Sequence, residues 1–353
     1  MEKHLTRMGD GKLVEMSSDE LRHDLEGGSE DAADKGKIEP LSRSEIDSLF
    51  DIFTDSNKHV SVAHGNEVVL TDDVGHFRLI QDNGGCGIGI PLNHMAAVML
   101  HERGYGMDTT PYTAVDATFK SFKPIMPYFQ QEMEIIIKNT IIPIYFCAMP
   151  NLSAYYYPDG PFPNPSDLLP AGKVKEALEA QEKAVEHLTK DLIFCGEKID
   201  QIGCDSFNFD TVGSAGDGDF LATLRAVEHL KKNTNMGIVV GMASEFVLGM
   251  HGGFEYRGER LAGMYPNEQA KMVESAGADI FGPVINTNTR KSVAWNVART
   301  TAFSKSCSEA VNIPIHPNVG MGVGGVPMCE TPPADAVTRA SKSLVEIGKA
   351  DGL

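Results

Sequence analysis

The sequence lacks the features that mark secreted and membrane-spanning proteins. Its six cysteines are scattered over 353 residues without a Cys-x-x-Cys pair, which indicates reduced thiols rather than a disulfide framework. No apolar run approaches the roughly 20 residues needed to cross a bilayer, and no apolar signal segment follows Met1. We therefore expect a cytoplasmic protein that does not enter a membrane.

Basic residues are also scarce. The chain has 31 Lys and Arg against 49 Asp and Glu, for a formal net charge of -18. This charge repels phosphate backbones, and no basic stripe with interleaved aromatic residues compensates for it, so nucleic acid is not an expected partner. The acidic balance favours solubility, and attraction of a basic partner protein or a cationic substrate is the alternative interpretation.

The N-terminal part has its own character. Residues up to about 56 are polar and carry two capping-box patterns, at Ser17 and Ser42, which predict two short helices joined by a glycine-rich turn. Val60–Ile80 alternates apolar and polar residues as hairpin strands do. We predict a cap of helices and a hairpin over residues 1–110.

From Ile141 onward, short apolar runs alternate with long amphipathic ones, which indicates parallel strands joined by helical crossovers. The predicted strands are Ile141–Met149, Asp205–Thr211, Ile238–Ala243, Ile280–Ile285 and Ile313–Val319. The predicted helices are a long one behind Pro165 that contains Val174–Ile199, followed by Leu221–Lys232, Asn267–Ser275, Val293–Val311 and Ala334–Ile347.

An internal repeat supports this unit. A helix end, a small turn, an aspartate and a strand start recur around Asp205, Asp279 and Asp351. The third copy reaches Leu353 with its strand only begun, so we predict over residues 111–353 an α/β fold, a TIM-type (β/α)8 barrel that is incomplete at its C-terminus. An open doubly wound sheet is the alternative.

Two glycine-rich segments invite a nucleotide-binding interpretation. Gly320–Gly325 matches G-x-G-x-x-G, but prolines follow it where a helix should receive the pyrophosphate. A glycine loop that closes over a ligand is the better interpretation, and we expect no nicotinamide binding. Gly84–Gly89 is either a tight connection or a ligand loop.

Loops after the carboxyl ends of barrel strands carry the chemistry of this architecture, and this position selects candidate residues. Asn208 and Asp210 follow one strand, whereas the nearby Asp217 and Asp219 are better read as helix caps. Glu245 and His251 follow the next strand, where a carboxylate can orient or deprotonate an amine and an imidazole can move protons. A hydrogen-bonded structural role for His251 is the alternative. We predict that Glu245 and Asp210 face one cavity.

Polar residues also follow the last two predicted strands. Asn286 and Asn288 can hold polar groups of a ligand, or form a turn and a helix cap. After the fifth strand, His316 and Asn318 lead into the glycine loop. The candidate catalytic residues are thus Glu245, Asp210 and His251, and the candidate substrate-binding residues are Asn208, Asn286, Asn288 and His316. The sequence has neither His-Glu-x-x-His nor a Cys/His cluster, so we expect no protein-held metal.

Segments along the whole chain resemble the dimethylamine:corrinoid-protein methyltransferases of methylamine-using methanogens. The matching segments are Arg7–Lys12, Asp31–Asp34, His101–Arg103, Ala148–Asn151, Pro158–Phe162, Asn208–Asp210, Gly216–Asp219, Leu248–Gly252, Phe281–Pro283, Asn286–Thr289, Gly320–Gly325 and Glu330–Pro333. The resemblance implies a TIM-type barrel that moves a methyl group from dimethylamine to the Co(I) corrinoid of a small partner protein. Methylamine is released for methanogenesis.

The resemblance also implies pyrrolysine, an amber-encoded residue with an electrophilic imine. In the family it follows the segment matched here by Val345–Leu353, so the expected pyrrolysine position comes directly after Leu353. We expect that an amber codon was read as a stop and that the 353-residue chain alone transfers no methyl group. The corrinoid is expected on the partner rather than on this chain, and the expected assembly is a homo-oligomer.

Two alternatives stay open. One is a non-catalytic remnant that binds the corrinoid protein or full-length subunits. The other is an unrelated barrel lyase or aldolase, which would need a Schiff-base lysine at a strand end, and no predicted strand ends in lysine.

Overall fold

The computed structural model describes residues 3–66, 68, 144–145, 152–249, 253–320, 322–329 and 332–353. His251, the boundary predicted at residue 110 and most of the hairpin predicted for Val60–Ile80 lie outside these residues. Val60–Ala63, which is described, is not a strand. Val60 is instead buried among the N-terminal helices, so this part of the hairpin prediction was wrong.

The N-terminal region begins with a hairpin that the sequence did not predict. Strands β1 (Lys3–Arg7) and β2 (Leu13–Ser17) pair antiparallel, and helices α1 (Ser18–Gly36) and α2 (Arg43–Thr54) follow. Both helices start at the predicted capping boxes. The carboxylates of Glu20 and Glu45 accept hydrogen bonds from the backbone N–H groups of Ser17 and Ser42, which confirms these two helix starts.

Helix α1 is longer than predicted because it runs through Gly27 and Gly28 instead of turning there. It packs against α7 (Val293–Ala310), and the glycines let the two backbones approach. A Cβ atom on Gly28 would overlap the carbonyl oxygen of Trp295, whereas one on Gly27 would lie 3.5 Å from the Trp295 indole nitrogen. Tertiary packing therefore outweighs the low helix propensity of glycine.

These adjacent glycines give a matched pair of substitutions. Gly28→Ala should lower the free energy of unfolding by about 1–3 kcal/mol, because the added methyl group meets backbone that must move. Gly27→Ala should be neutral or stabilising by up to about 1 kcal/mol, since its methyl has ordinary contacts and alanine favours helix. Urea unfolding of both variants tests this, and equal destabilisation would contradict the packing argument.

The remaining elements follow the predicted alternation closely. The helices are α3 (Pro165–Leu168), α4 (Val174–Gln201), α5 (Asp217–Asn233), α6 (Pro266–Ala276), α7 and α8 (Ala334–Glu346). The strands are β3 (Ile144–Tyr145), β4 (Ser206–Val212), β5 (Gly237–Met242), the short hairpin β6 (Glu255–Tyr256) and β7 (Glu259–Arg260), and β8 (Ile280–Gly282). None of the described helices is both long and apolar enough to cross a bilayer.

The parallel sheet has the order β3-β4-β5-β8, which is the order of these strands in the chain. Ile315 extends it through a parallel bridge to Phe281, and Ile315 is the only described part of the predicted strand Ile313–Val319 that pairs in this way. Side chains of α4, α5, α6 and α7 pack in one core with Phe207, Val240 and Phe281, so the crossover helices cover the same face. The described strands form an open arc rather than a closed barrel.

The repeated aspartates have a common structural role at the starts of the strands. The backbone N–H of Asp279 donates to the carbonyl of Ile238 (2.7 Å), and its carboxylate accepts from the Ile238 N–H (2.8 Å). Asp351 makes the same two bonds with Ile315, at 2.9 Å each. Each aspartate thus fixes one strand start against its neighbour.

Candidate functional site

The face of the sheet opposite the helices carries a row of two polar residues with two glycines between them. Phe209, Val240, Phe281 and Ile315 are paired neighbours that belong to the helix-facing core. The residues after them, Asp210, Gly241, Gly282 and His316, therefore lie on the opposite face, because side chains alternate along a strand. The two residues in the middle of the row, Gly241 and Gly282, carry no side chains between the carboxylate and the imidazole.

The carboxyl end of β4 is distorted next to this row. The register of β4 against β5 breaks between Phe209 and Val212, and Thr211 has a φ of 56°. A β-branched residue in this left-handed region is strained, and such strain is concentrated at functional sites. The bulge aims Asp210 at Gly241: its Oδ1 accepts from the Thr211 N–H (2.7 Å) and would lie 3.5 Å from a Cβ atom on Gly241.

Asn208 lies on the same face as Asp210, two residues earlier. It is 8% exposed, and its Oδ1 would lie 3.9 Å from the same Cβ position on Gly241. Within the described part of the chain this oxygen accepts no hydrogen bond. Buried polar atoms nearly always have a partner, so an unsatisfied acceptor at a strand end marks a place where a ligand can donate.

His316 lies at the other end of the row. Burial lowers its pKa, and a hydrogen bond with the backbone of Leu353 partly offsets this effect. The imidazole is therefore held mainly neutral near pH 7 and can accept or relay a proton. It also links the row to the strand start that Asp351 fixes beside Ile315.

Glu245 occupies a different environment from Asp210. Its carboxylate faces α7, where it forms a two-pronged ion pair with the guanidinium of Arg299, and its Oε2 accepts from the Asn286 N–H at 3.2 Å. Arg299 also donates from Nε to Asp31 of α1 (2.6 Å), and both Glu245 and Arg299 are 5% exposed. Burial alone would lower the pKa of Arg299, but the two carboxylates outweigh it and raise that pKa.

Asn286 and Asn288 lie in the exposed loop after β8. The Asn288 side chain accepts from the Arg290 N–H (3.0 Å), and Asn296 of α7 bonds both backbone groups of Asn288. Asn288 thus forms a turn, which is part of the alternative offered for this segment, whereas the N-cap of α7 is Ser292. Asn286 pairs with Val323 in the glycine loop, so the two loops form one layer above the strand ends.

The glycine loop does not lead into a helix. Gly322, Gly324 and Gly325 have positive φ values of 84°, 70° and 80°, and the next described helix begins only at Ala334. This geometry differs from that of a dinucleotide fingerprint, in which the last glycine opens the helix.

Asp217 and Asp219 begin α5 and have structural contacts. Asp219 accepts backbone N–H bonds from Gly213, Ser214, Ala215 and Leu152, which ties the loops after β3 and β4 together. Burial nevertheless raises its pKa to about 7, against the lowering effect of these bonds. Asp217 is fully buried and accepts from the Gly218 N–H at 3.0 Å.

The raised pKa of Asp219 predicts a pH dependence of stability. Between its ordinary value of 3.8 and about 7, the folded chain holds a proton that the unfolded chain releases. The free energy of unfolding of the wild type, relative to Asp219→Asn, should therefore fall as pH rises through this range. The steepest slope should be about 1.4 kcal/mol per pH unit. Urea unfolding of both proteins from pH 4.5 to 8 measures this difference, and a constant value would contradict the assignment.

The structure thus brings Asn208 and Asp210 together at Gly241 and puts His316 at the end of the same row. It joins Glu245 to the backbone of Asn286, and the cavity predicted for Glu245 and Asp210 together stays a prediction.

Arg299 is the residue that sequence reasoning missed. Its signal was a lone arginine within the otherwise uncharged stretch Val293–Phe303, where burial requires an acidic partner. The described residues contain no group of three or more His, Cys, Asp or Glu that could hold a metal ion.

Comparison with known proteins identifies the family. The sequence model described as dimethylamine methyltransferase matches residues 2–353. The chain belongs to the dimethylamine methyltransferase family. This confirms the resemblance seen in the sequence, and the family name indicates a methyltransferase. No solved structure matches this chain.

Proposed function

We propose that the chain transfers a methyl group from dimethylamine to the Co(I) corrinoid of a partner protein and releases methylamine. The observation that carries this proposal is the row from Asp210 to His316, in which only the glycines Gly241 and Gly282 lie between the two, in a member of the dimethylamine methyltransferase family. We further propose that this reaction takes place in the cytoplasm as a step of methanogenesis.

The proposed architecture is a TIM-type barrel. The strands lie in the sheet in the same order as in the chain, and the crossover helices cover one face of it. Both features favour the singly wound sheet of a barrel and not a doubly wound sheet, which has helices on both faces. In this architecture the row and the loops after β4, β5 and β8 lie at the carboxyl-terminal mouth, where a partner protein can bring its corrinoid.

The transfer itself breaks one C–N bond and forms one C–Co bond. Cobalt supplies the electron pair and is oxidised from Co(I) to methyl-Co(III), while nitrogen keeps its bonding pair. Overall, dimethylammonium enters with two N–H groups and neutral methylamine leaves with two, so the protons balance. The residues of the chain therefore need to hold and desolvate an ammonium group and align one methyl group with cobalt.

The side chains divide into two roles. Asp210 supplies a negative charge and an acceptor for the ammonium group, Asn208 supplies a second acceptor, and His316 relays protons at the other end of the row. We propose a positioning role for Glu245, because Arg299 already engages both of its oxygens. The pair holds the loop after β5 against Asn286.

Pyrrolysine, implied after Leu353, suits the neighbourhood of His316. His316 bonds the Leu353 backbone, and Asp351 fixes that strand start beside Ile315. Its imine supplies an electrophile for the amine that no ordinary side chain provides. The residues that would hold it are His316 and the backbone around Ile315.

A cobalt assay tests the proposal. The chain, with and without an extension that carries pyrrolysine after Leu353, is mixed with reduced corrinoid protein and dimethylamine, and methylation is followed in the cobalt spectrum. We expect the extended protein to form methyl-cobalt and one methylamine per turnover, and the 353-residue chain to form neither. Equal rates would refute the role of the extension. Binding of the corrinoid protein without transfer by either form would favour the non-catalytic alternative.

A further inference from the structure

The side-chain oxygen of Asn208, which accepts no hydrogen bond from the described residues, and the carboxylate of Asp210 both lie close to Gly241. A single Cβ atom on Gly241 would lie within 4 Å of an oxygen from each residue. Asn208 is more than nine-tenths buried, and in the described part of the chain nothing donates to its Oδ1. The absent side chain at Gly241 thus leaves a small space lined by two acceptors, one of them charged.

The acceptors are held in place by the backbone. Asp210 is oriented by the Thr211 N–H within the bulge, and Asn208 is in the regular part of β4, where it pairs with Val239 of β5. Acceptors on rigid strands hold a donor in a defined direction, which loops do not.

We propose that Asn208 and Asp210 make this site specific for a secondary ammonium ion by matching its two N–H groups with two acceptors. The inference rests on the proposed function for its substrate class. Dimethylammonium donates one N–H to Asn208 Oδ1 and one to the Asp210 carboxylate, and its methyl groups lie over the glycine floor.

Trimethylammonium fits this site poorly. It has one N–H, so one buried acceptor stays unsatisfied, and its third methyl group meets an oxygen. Sites built to hydrogen-bond a substrate group reject analogues that lack it much more strongly than apolar pockets reject an extra methyl group. The difference in affinity between the two ions therefore measures the contribution of Asn208.

The test is a titration of the full chain with dimethylammonium chloride and with trimethylammonium chloride, followed by calorimetry or NMR. The wild type should bind dimethylammonium at least about tenfold more tightly, as expected for one hydrogen bond to a charged donor. Asn208→Leu should reduce this preference to about threefold or less. Asn208→Asp, which keeps an acceptor oxygen, should retain it.

Two further variants keep the result interpretable. Asn208→Ala lacks the acceptor without added bulk and replaces the leucine variant if that one does not fold, as judged by thermal unfolding. Asn312→Leu, at an exposed position remote from the row, should keep the wild-type preference. A wild type that binds neither ion or shows no preference, or an unchanged preference in the leucine and alanine variants, would overturn the proposal. Amine binding needs no corrinoid, so its failure is distinguishable from failure of methyl transfer.

Discussion

Arg299→Met is expected to lower the free energy of unfolding by about 3–5 kcal/mol at pH 7. The substitution keeps the length and apolar stem of the side chain but leaves the buried Glu245 carboxylate and the partly buried Asp31 without their shared cation. An uncompensated charge in this environment costs far more than the pair contributes when intact. Equilibrium unfolding in urea measures the loss.

Lys305 provides the matched control on the same helix. It also pairs with an acid from the N-terminal region, Glu45 of α2 at 2.7 Å, but both side chains are 22% exposed. Lys305→Met should therefore cost about 1 kcal/mol or less, because solvent screens the charge that remains. Similar losses for the two variants would show that burial does not set the strength of the Arg299 network.

In the protein extended with pyrrolysine, Gly241→Ala is expected to reduce methyl transfer and dimethylammonium binding by about a hundredfold while the chain keeps its fold. The new methyl group has ordinary contacts, 3.5 Å from Asp210 Oδ1, so it is sterically tolerated. It nevertheless occupies the space between the two acceptors, and displacement of a reacting group by about 1 Å is enough for a loss of this size. Cobalt spectroscopy and amine titration measure the two effects.

Gly237→Ala, at the start of the same strand, is the control. Its Cβ atom would lie 3.5 Å from that of Ser206, a comparable contact, but far along β5 from the row. This variant should bind and react as the wild type does, with an unchanged melting temperature. Full activity in Gly241→Ala would show that the amine is held elsewhere.

Most of the α/β part could be predicted because local signals agree with the final structure. Val174–Ile199 keeps helical spacing and lies within α4, and the apolar run at Ile238 becomes β5. Asn208 and Asp210, which the sequence placed after this strand, lie within β4, and Asp210 is next to the break in its register. These features depend on residues close in sequence.

The N-terminal hairpin could not be predicted in this way. Leu5 and Leu13 are 66% and 50% exposed, so the strands lack the buried face that alternation reveals. The hairpin is held by distant partners: Arg7 binds Asp335 at 2.8 Å, and Gly9 donates to Lys291 at 2.7 Å. Such long-range contacts leave no periodic signal in the sequence.

The site was only partly predictable for a related reason. Glu245 was identified by its position after a strand, but its partner Arg299 comes 54 residues later and a second partner, Asp31, lies in the N-terminal region. Sequence position indicates which loop a residue occupies. It does not show whether another charge already engages it.

The bonds that Asp279 and Asp351 make with the preceding strands bear on how the protein folds during synthesis. Each aspartate binds a strand that left the ribosome before it, and the sheet order follows the chain. The strand with which each new strand pairs has thus already been synthesised, so the sheet can form one unit at a time as translation proceeds. Loss of either carboxylate would then slow the docking of the next strand. The unpaired edge of the preceding strand would stay exposed to aggregation for longer.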